Sequence, residues 1–233
     1  MSAELASPAA APRLALFDLD GTLLAGDTDV LWCEFLIDEG VLDRDTFAAA
    51  NRDVAERYGR GEITPAEFAA FYAATLAGRS AEQWSPLLNR FVATAIAPRI
   101  GAASFDLVAA RRAADDRLVL TTATNRFLTA PIAALLGIAD LVATELEVAP
   151  TGDFTGRTTG TVNMREGKVT RLARWLSEEG LAASCLPEAT FFSDSINDLP
   201  LLCAVATPVA VDPDPRLRAE ASRRAWPVIS LVA

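Results

Sequence analysis

Asp18 and Asp20 stand two positions apart at the end of a short apolar run, and Asp194 and Asp198 stand four apart after another. Thr122 closes a third such run, and Lys168 follows Gly167 where a helical stretch begins. The chain contains no histidine. Ser-His-Asp and Cys-His catalysis are therefore excluded, as are histidine-ligated zinc and haem. Acid–base chemistry must run on carboxylates, lysine, tyrosine or cysteine. Four acids drawn into one site would repel a phosphate dianion, because each unit-charge pair at ~4 Å costs about 4 kcal/mol at an effective dielectric of roughly 20. Such a site accepts an anion only beside cations. Hard carboxylate and carbonyl oxygens with no soft ligand suit Mg²⁺, which also takes phosphate oxygen as a ligand.

The elements that place these residues follow from the apolar pattern. Leu14 to Phe17 is an uninterrupted apolar run, the signature of a buried parallel strand, and it ends in the turn chemistry of Asp18-Leu19-Asp20-Gly21-Thr22. The next clear strand, Leu118 to Thr121, ends in Thr122-Ala123-Thr124-Asn125. About 95 residues separate the two, against a usual α/β connection of roughly 2–6, so something has been inserted. The insert reads as helical: Val30 to Glu39, Arg44 to Tyr58, Pro65 to Leu76 and Ala81 to Ala97 carry apolar residues at three- and four-residue spacing. Thr64-Pro65-Ala66-Glu67 is an N-cap followed by proline and a capping glutamate, and Ser80 caps the next helix. Residues 26–98 are accordingly read as a helical cap, and residues 1–25 and 99–233 as the catalytic core.

Downstream the chain alternates. Helix Phe127 to Leu136 stops at Gly137, and a short strand follows at Leu141 to Ala143. Phe154 to Asn163 is a small hairpin or a loop, and helix Val169 to Glu179 ends at Gly180. Strand Thr190 to Phe192, helix Asn197 to Leu202, strand Val205 to Val211, a helix after Pro213 and a strand at Val228-Ile229 complete the pattern. This is an α/β chain, a doubly wound parallel sheet with helices on both faces. Open sheets of this kind bind ligands at the carboxyl ends of their strands, where Asp18, Asp20, Thr122 and Asp194 fall. A lysine at the positive end of a helix is mildly unfavourable, and a nearby anion would account for Lys168.

Taken together, these residues resemble the haloacid dehalogenase-like hydrolase superfamily. Asp18-Leu19-Asp20-Gly21-Thr22 is similar to its D-x-D-G-T signature, Thr122 to its second motif, Lys168 to its third, and Ser193-Asp194-Ser195-Ile196-Asn197-Asp198 to its fourth. The helical insert resembles the phosphoserine phosphatase-like branch. The resemblance implies a Mg²⁺-dependent phosphatase whose metal is held by the Asp18 and Asp194 carboxylates and the Asp20 backbone carbonyl. It implies that Asp18 attacks phosphorus to form an aspartyl-phosphate while Asp20 serves as acid and then base. Thr122 would hold phosphoryl oxygens, Lys168 would hold Asp18 and phosphate together, and Asp198 would steady the metal site from behind.

The substrate expectation departs from phosphoserine. The position matching the family's amine-binding acid is Asp27, shorter than the usual glutamate. The cap stretch Glu67-Phe68-Ala69-Ala70-Phe71-Tyr72 has no arginine to take a substrate carboxylate, and a bidentate arginine is a strong specificity element. A small phosphate monoester carrying an amine and no carboxylate is expected instead, such as histidinol phosphate, with phosphoserine phosphatase or phosphomutase as alternatives. Asp27, Glu34, Arg52, Arg57 and Arg126 are candidate specificity residues. Gly21, Asn125 and Asn197 are candidate substrate contacts; the two asparagines serve equally well as helix caps. A receiver-type signalling domain shares the sheet, the aspartate and the lysine, but has neither so large a cap nor a use for Asp20. Trp32, Trp84, Trp175 and Trp226 read as packing residues.

Composition bounds the remainder. Apolar residues are 51% and charged residues 22%, an ordinary globular balance, and net charge is −10 with no basic block. A nucleic-acid or anionic-membrane partner is therefore disfavoured. Cys33, Cys185 and Cys203 are spaced neither as a disulfide framework nor as a zinc site. Met1 to Pro12 reads as a loose tail without the features of a signal peptide, and no apolar run is long enough to span a bilayer. A cytoplasmic monomer or homodimer acting on a small phosphorylated metabolite is the expectation.

Overall fold

A computed structural model describes residues 12–231; all but the last residue of the Met1–Pro12 tail lies outside them. Among the described residues seven strands form one sheet, β1 (Leu14–Phe17), β2 (Arg117–Asn125), β3 (Asp140–Val148), β4 (Phe154–Thr159), β5 (Thr190–Ser193), β6 (Thr207–Val211) and β7 (Val228–Ile229). Their order is β4-β3-β2-β1-β5-β6-β7. All neighbours pair parallel except β3 and β4, which form an antiparallel hairpin at the edge. The sheet is thus mostly rather than wholly parallel, because the Phe154 stretch returns directly alongside β3 instead of crossing over through a helix. β1 lies at the centre, and the winding reverses there between β2 and β5, the position at which an open sheet leaves a crevice.

Alternation along the strands sorts the core into two layers. Ala15, Phe17, Leu118, Leu120, Phe192 and Val209 pack on one face with Val108, Leu128 and Ile132. Leu14, Leu16, Val119, Phe191 and Ala210 pack on the other with Leu172, Leu176, Leu201 and Leu217. Each fully buried Leu or Phe stabilises by about 1.5–3 kcal/mol, enough for a short β1 with every residue enclosed to anchor the sheet.

Between β1 and β2 lie α1 (Thr28–Asp38), α2 (Arg44–Arg60), α3 (Pro65–Ala74), α4 (Ala81–Phe91) and α5 (Ala102–Ala113). Capping boxes at Thr64/Glu67 and Ser80/Gln83 start α3 and α4. Apolar spacing predicts a fourth helix reaching Ala97. Instead α4 stops at Phe91, and Val92–Ile96 widens into a π-helical turn before a 3₁₀ turn at Ala97–Arg99. Pro98 cannot donate the backbone hydrogen bond that an α-helix needs at that point. The alanine-rich α5 was not anticipated; it buries little apart from Ser104 and Val108.

Trp32 and Trp84 do pack, with ring centroids 5.8 Å apart and Phe91 5.1 Å from Trp32. A separate cluster of Cys33, Ile37, Ile63, Phe68, Tyr72 and Met164 joins the inserted helices to the segment before α7 (Glu166–Glu178). Buried Asn51 ties this layer, its amide donating to Val30 O and its Oδ1 accepting from Tyr72. The remaining helices are α6 (Arg126–Leu135), α8 (Leu199–Leu202) and α9 (Pro215–Arg224). Among the described residues no single helix is long and apolar enough to cross a membrane.

Candidate active site

Asp18 is the first residue past β1, and its backbone N–H donates to Phe192 O of β5 at 2.9 Å. The chain then turns sharply, with Leu19 O accepting from the backbone N–H groups of Thr22, Leu23 and Leu24. Gly21 sits at φ 77°, and a Cβ there would fall 2.2 Å from Asp194 Oδ2. Gly21 was expected near substrate; it does not line the site cavity, and its role is to let the Asp194 carboxylate close against the turn. Thr22 fixes that carboxylate, donating to Asp194 Oδ1 at 2.9 Å and accepting from Asp194 N at 3.0 Å.

β2 was expected to end before Thr122, but it runs on to Asn125 through a bulge. Thr122 faces Ala143 and Asn125 faces Thr144, leaving Ala123 and Thr124 unpaired. Such a bulge re-aims side chains, and both extra residues line the cavity. Thr122 is fully enclosed; its hydroxyl lies 3.4 Å from Asp20 Oδ2 and accepts from Thr124 N. Asp20 receives Thr28 N at 2.7 Å and the Thr28 hydroxyl on Oδ1, and the Thr124 hydroxyl lies 3.0 Å from Oδ2.

Lys168 is delivered by a constrained loop. The buried Asn163 amide contacts Thr121 Oγ1, Thr122 O and Val142 O, pinning the loop to the ends of β2 and β3. Arg165 adopts φ 51°, an uncommon conformation for a side-chain-bearing residue. Gly167 packs so tightly that a Cβ would stand 2.1 Å from Val162 O. Lys168 Nζ then donates to Asp18 Oδ1 at 2.8 Å and to Asp198 Oδ2 at 2.7 Å. Asp198 also accepts from Ser193 Oγ at 2.8 Å, so it orients the lysine.

Asp18, Asp20, Asp27, Lys168, Asp194, Asn197 and Asp198 face one cavity of about 150 Å³. Tyr58, Phe68 and Met164 wall it from the side of the inserted helices and the α7 loop, with Ala123, Thr124 and Ser195 opposite. Asp27 both lines the cavity and caps α1 through Val30 N. Asn125 caps α6 through Leu128 N and stands outside the cavity, so the capping alternative describes its contact. Arg126 is also elsewhere, held by Glu145 and Leu141 O. Glu34, Arg52 and Arg57 do not line the cavity either; Arg57 pairs with Asp53 on the same helix. Thr22, Thr28, Thr124 and Asn163 had no role assigned from sequence. Threonine and asparagine are too common near strand ends to stand out without the contacts.

Burial dominates the electrostatics. It pushes Asp18 up to about 7 against the opposing pull of Lys168, and Asp194 up to about 8 with Asp18 adding to the rise. Asp20 is pushed up to about 6 by burial and Asp27, with the Thr28 and Thr124 hydrogen bonds holding it back. Burial lowers Lys168, but Asp18 and Asp198 outweigh it and the ammonium is held charged. Among the described residues no three acidic or thiol side chains converge as a complete metal centre. Asp18 and Asp194 line one cavity as two hard-oxygen donors, the chemistry Mg²⁺ takes while keeping positions for water and phosphate.

The profile of the haloacid dehalogenase-like hydrolases matches residues 15–202. A histidinol-phosphatase of Neisseria meningitidis is 38% identical over 94% of this chain and 98% of its own length. A phosphoserine phosphatase of Mycobacterium tuberculosis is 31% identical over 92% and 69%. A solved Bordetella pertussis protein of unknown function, 44% identical, superposes with a TM-score of 0.88 over 94% of this chain and 98% of that one. A phosphoserine phosphatase solved as a phospho-aspartyl intermediate analogue shares the fold at 16% identity, with a TM-score of 0.68 over 94% and 93%.

Proposed function

The chain belongs to the haloacid dehalogenase-like hydrolases and is a phosphatase, and on that premise we propose that it hydrolyses a small phosphate monoester whose alcohol carries a cationic nitrogen, histidinol phosphate being the leading candidate. The observation that carries this reading is the lining of the cavity. Beyond the acid cluster it presents Asp27, Tyr58 and Phe68, and Lys168 is its only basic side chain among the described residues. A carboxylate beside aromatic rings is suited to an ammonium or an imidazole. No arginine lines it to take the carboxylate of phosphoserine, and the Lys168 ammonium is already held by Asp18 and Asp198. The name of the Neisseria relative points to the same class of ester.

The chemistry divides into two displacements. An Asp18 carboxylate oxygen bonds to phosphorus as the ester P–O bond breaks, and Asp20 gives its proton to the departing alcohol oxygen. A proton affinity near neutrality, as at Asp20, is what a group needs to act first as acid and then as base. Asp20 then takes a proton from water, whose oxygen bonds to phosphorus as the bond to Asp18 breaks, releasing phosphate. Lys168 holds Asp18 in line and offers positive charge to the phosphoryl oxygens. Mg²⁺, held by Asp18, Asp194 and the Asp20 carbonyl, would neutralise the acid cluster and polarise the phosphoryl group. Helices α1–α4, within residues 26–98, act as the cap that shapes the alcohol-binding side.

Phosphate release from histidinol phosphate, phosphoserine, other amine-bearing esters and p-nitrophenyl phosphate, with and without Mg²⁺, tests the reading. Amine-bearing esters without a carboxylate should lead the panel. Phosphoserine turning over as well as the best of them would overturn the substrate assignment, and metal-independent turnover would overturn the mechanism.

A further inference from the structure

Asp29 has no part in the chemistry above, yet it is 4% exposed and stands directly behind it. It occupies the first turn of α1 and does not line the cavity. Its Oδ2 lies 3.0 Å from Thr124 Oγ1, and its Oδ1 is enclosed with no hydrogen-bond partner. Thr124 Oγ1 is also 3.0 Å from Asp20 Oδ2. A threonine hydroxyl owns one proton. Placed between two carboxyl oxygens at equal distance, it donates to one and must accept from the other. One of the two acids is therefore the donor.

The surroundings decide which. Asp20 Oδ1 already takes two donors from Thr28, and Oδ2 has the Thr122 hydroxyl at 3.4 Å. Asp29 has only the Thr124 contact, and no cation pairs with it among the described residues. The helix start favours an anion at Asp29 only weakly, whereas an enclosed carboxylate without donors is strongly disfavoured. The charged neighbours that act on it, Asp27 and Asp20, are themselves acids, and burial together with them holds the Asp29 carboxyl well above the usual range.

We infer that Asp29 is kept as a neutral carboxylic acid and serves as a positioning residue for the general acid: its O–H donates to Thr124, whose hydroxyl is thereby aimed at Asp20 Oδ2. With Thr28 on one oxygen and Thr124 on the other, the Asp20 carboxyl plane is fixed. The Asp20 proton, when present, is directed to the cavity rather than shared with Thr124. Asp29 touches neither substrate nor metal; it acts through one hydroxyl rotor.

The inference rests on Asp20 being the acid, so its test has an arm independent of turnover. Infrared difference spectra of the whole wild-type protein against Asp29→Asn should show a protonated-carboxyl C=O band, unchanged between pH 6 and about pH 8. In the Mg²⁺-loaded phosphatase assay, Asp29→Leu removes the donor and should lower kcat about 10- to 100-fold at unchanged KM, the cost of a misoriented catalytic group. Asp29→Asn, whose amide can donate in the same direction, should restore kcat to within about threefold of wild type. A carboxylate band in place of the protonated one, or Asp29→Asn failing as badly as Asp29→Leu at an unchanged Tm, would overturn it. Should Asp20→Asn leave kcat intact, the acid assignment falls while the infrared band still reports on Asp29 alone.

Discussion

A Cβ on Gly21 would stand 2.2 Å from Oδ2 of Asp194, closer than any real contact, although the two residues are 173 positions apart in the chain. The glycine is thus required by a carboxylate contributed by another strand as well as by its own φ of 77°. Gly21→Ala should lower kcat/KM by at least about 10²-fold, since a displacement of ~1 Å at a reacting centre costs that much, and should weaken Mg²⁺-induced stabilisation. Gly180→Ala is the control: φ is 66° but nothing lies within 4 Å. It should cost about 1–2 kcal/mol of stability and leave kcat/KM unchanged. Steady-state kinetics and thermal melts of both variants check this.

Lys168 joins Asp18 to Asp198 in a buried triad at the cavity wall, and removing it should damage stability and activity separately. Lys168→Met leaves two carboxylates buried without their cation, a loss of about 3–5 kcal/mol in urea melts. Lys168→Met/Asp198→Asn should recover part of that stability by deleting one of the charges, while phosphatase activity stays down by about 10²–10³-fold. Recovery of activity along with stability would mean that the lysine is structural only.

The convergence of Asp18, Asp20 and Lys168 on one cavity was legible because its signals are local: an acid pair after an apolar run, a glycine that must turn, a lysine after a tight glycine. What escaped was set by contacts between distant segments. Thr124 matters because β2 slips register against β3, and Thr28 matters because α1 begins against Asp20; neither is encoded in spacing. Asn125 reads equally as a substrate contact or a helix cap, and its side chain is used by the helix start; Arg126, a candidate specificity residue, is taken instead by Glu145 and Leu141 O. A Gly/Thr-rich stretch has no decisive periodicity, so spacing alone does not separate a hairpin from a loop at β4. Helices α1–α4 are legible in outline from their apolar spacing, but α4 ends at Phe91 ahead of Pro98, and the alanine-rich α5 carries no apolar stripe to announce it.

Metal binding and pH should be linked at the acid pair. Burial raises Asp18 to about 7 and Asp194 to about 8 from the ordinary aspartate value of 3.8, so between those limits the folded state binds more protons than the unfolded chain. Stability of the metal-free protein is therefore greatest below about pH 4 as far as these groups decide, and falls as pH rises toward 8. Mg²⁺ must displace those protons, so its stabilising effect should be larger at pH 8 than at pH 5.5. Melts at fixed Mg²⁺ against EDTA across that range test it, and an increment independent of pH would contradict the linkage.

Asp27 offers a way to separate recognition of the alcohol from the chemistry at phosphorus. It caps α1 and lines the cavity at once, and asparagine caps a helix about as well as aspartate. Asp27→Asn therefore removes the charge while keeping the helix start. For an ester with a cationic amine, kcat/KM should fall about 10- to 100-fold, the loss expected when one partner of a partly buried charge-assisted hydrogen bond is neutralised. For p-nitrophenyl phosphate, which has no cation and whose leaving group needs little protonation, it should stay within about threefold even though loss of the Asp27 charge lets the Asp20 pKa fall. The ratio of the two effects is the informative quantity. An equal fall for both substrates would place Asp27 in the catalytic machinery, and no fall for either would remove the case for a cationic alcohol.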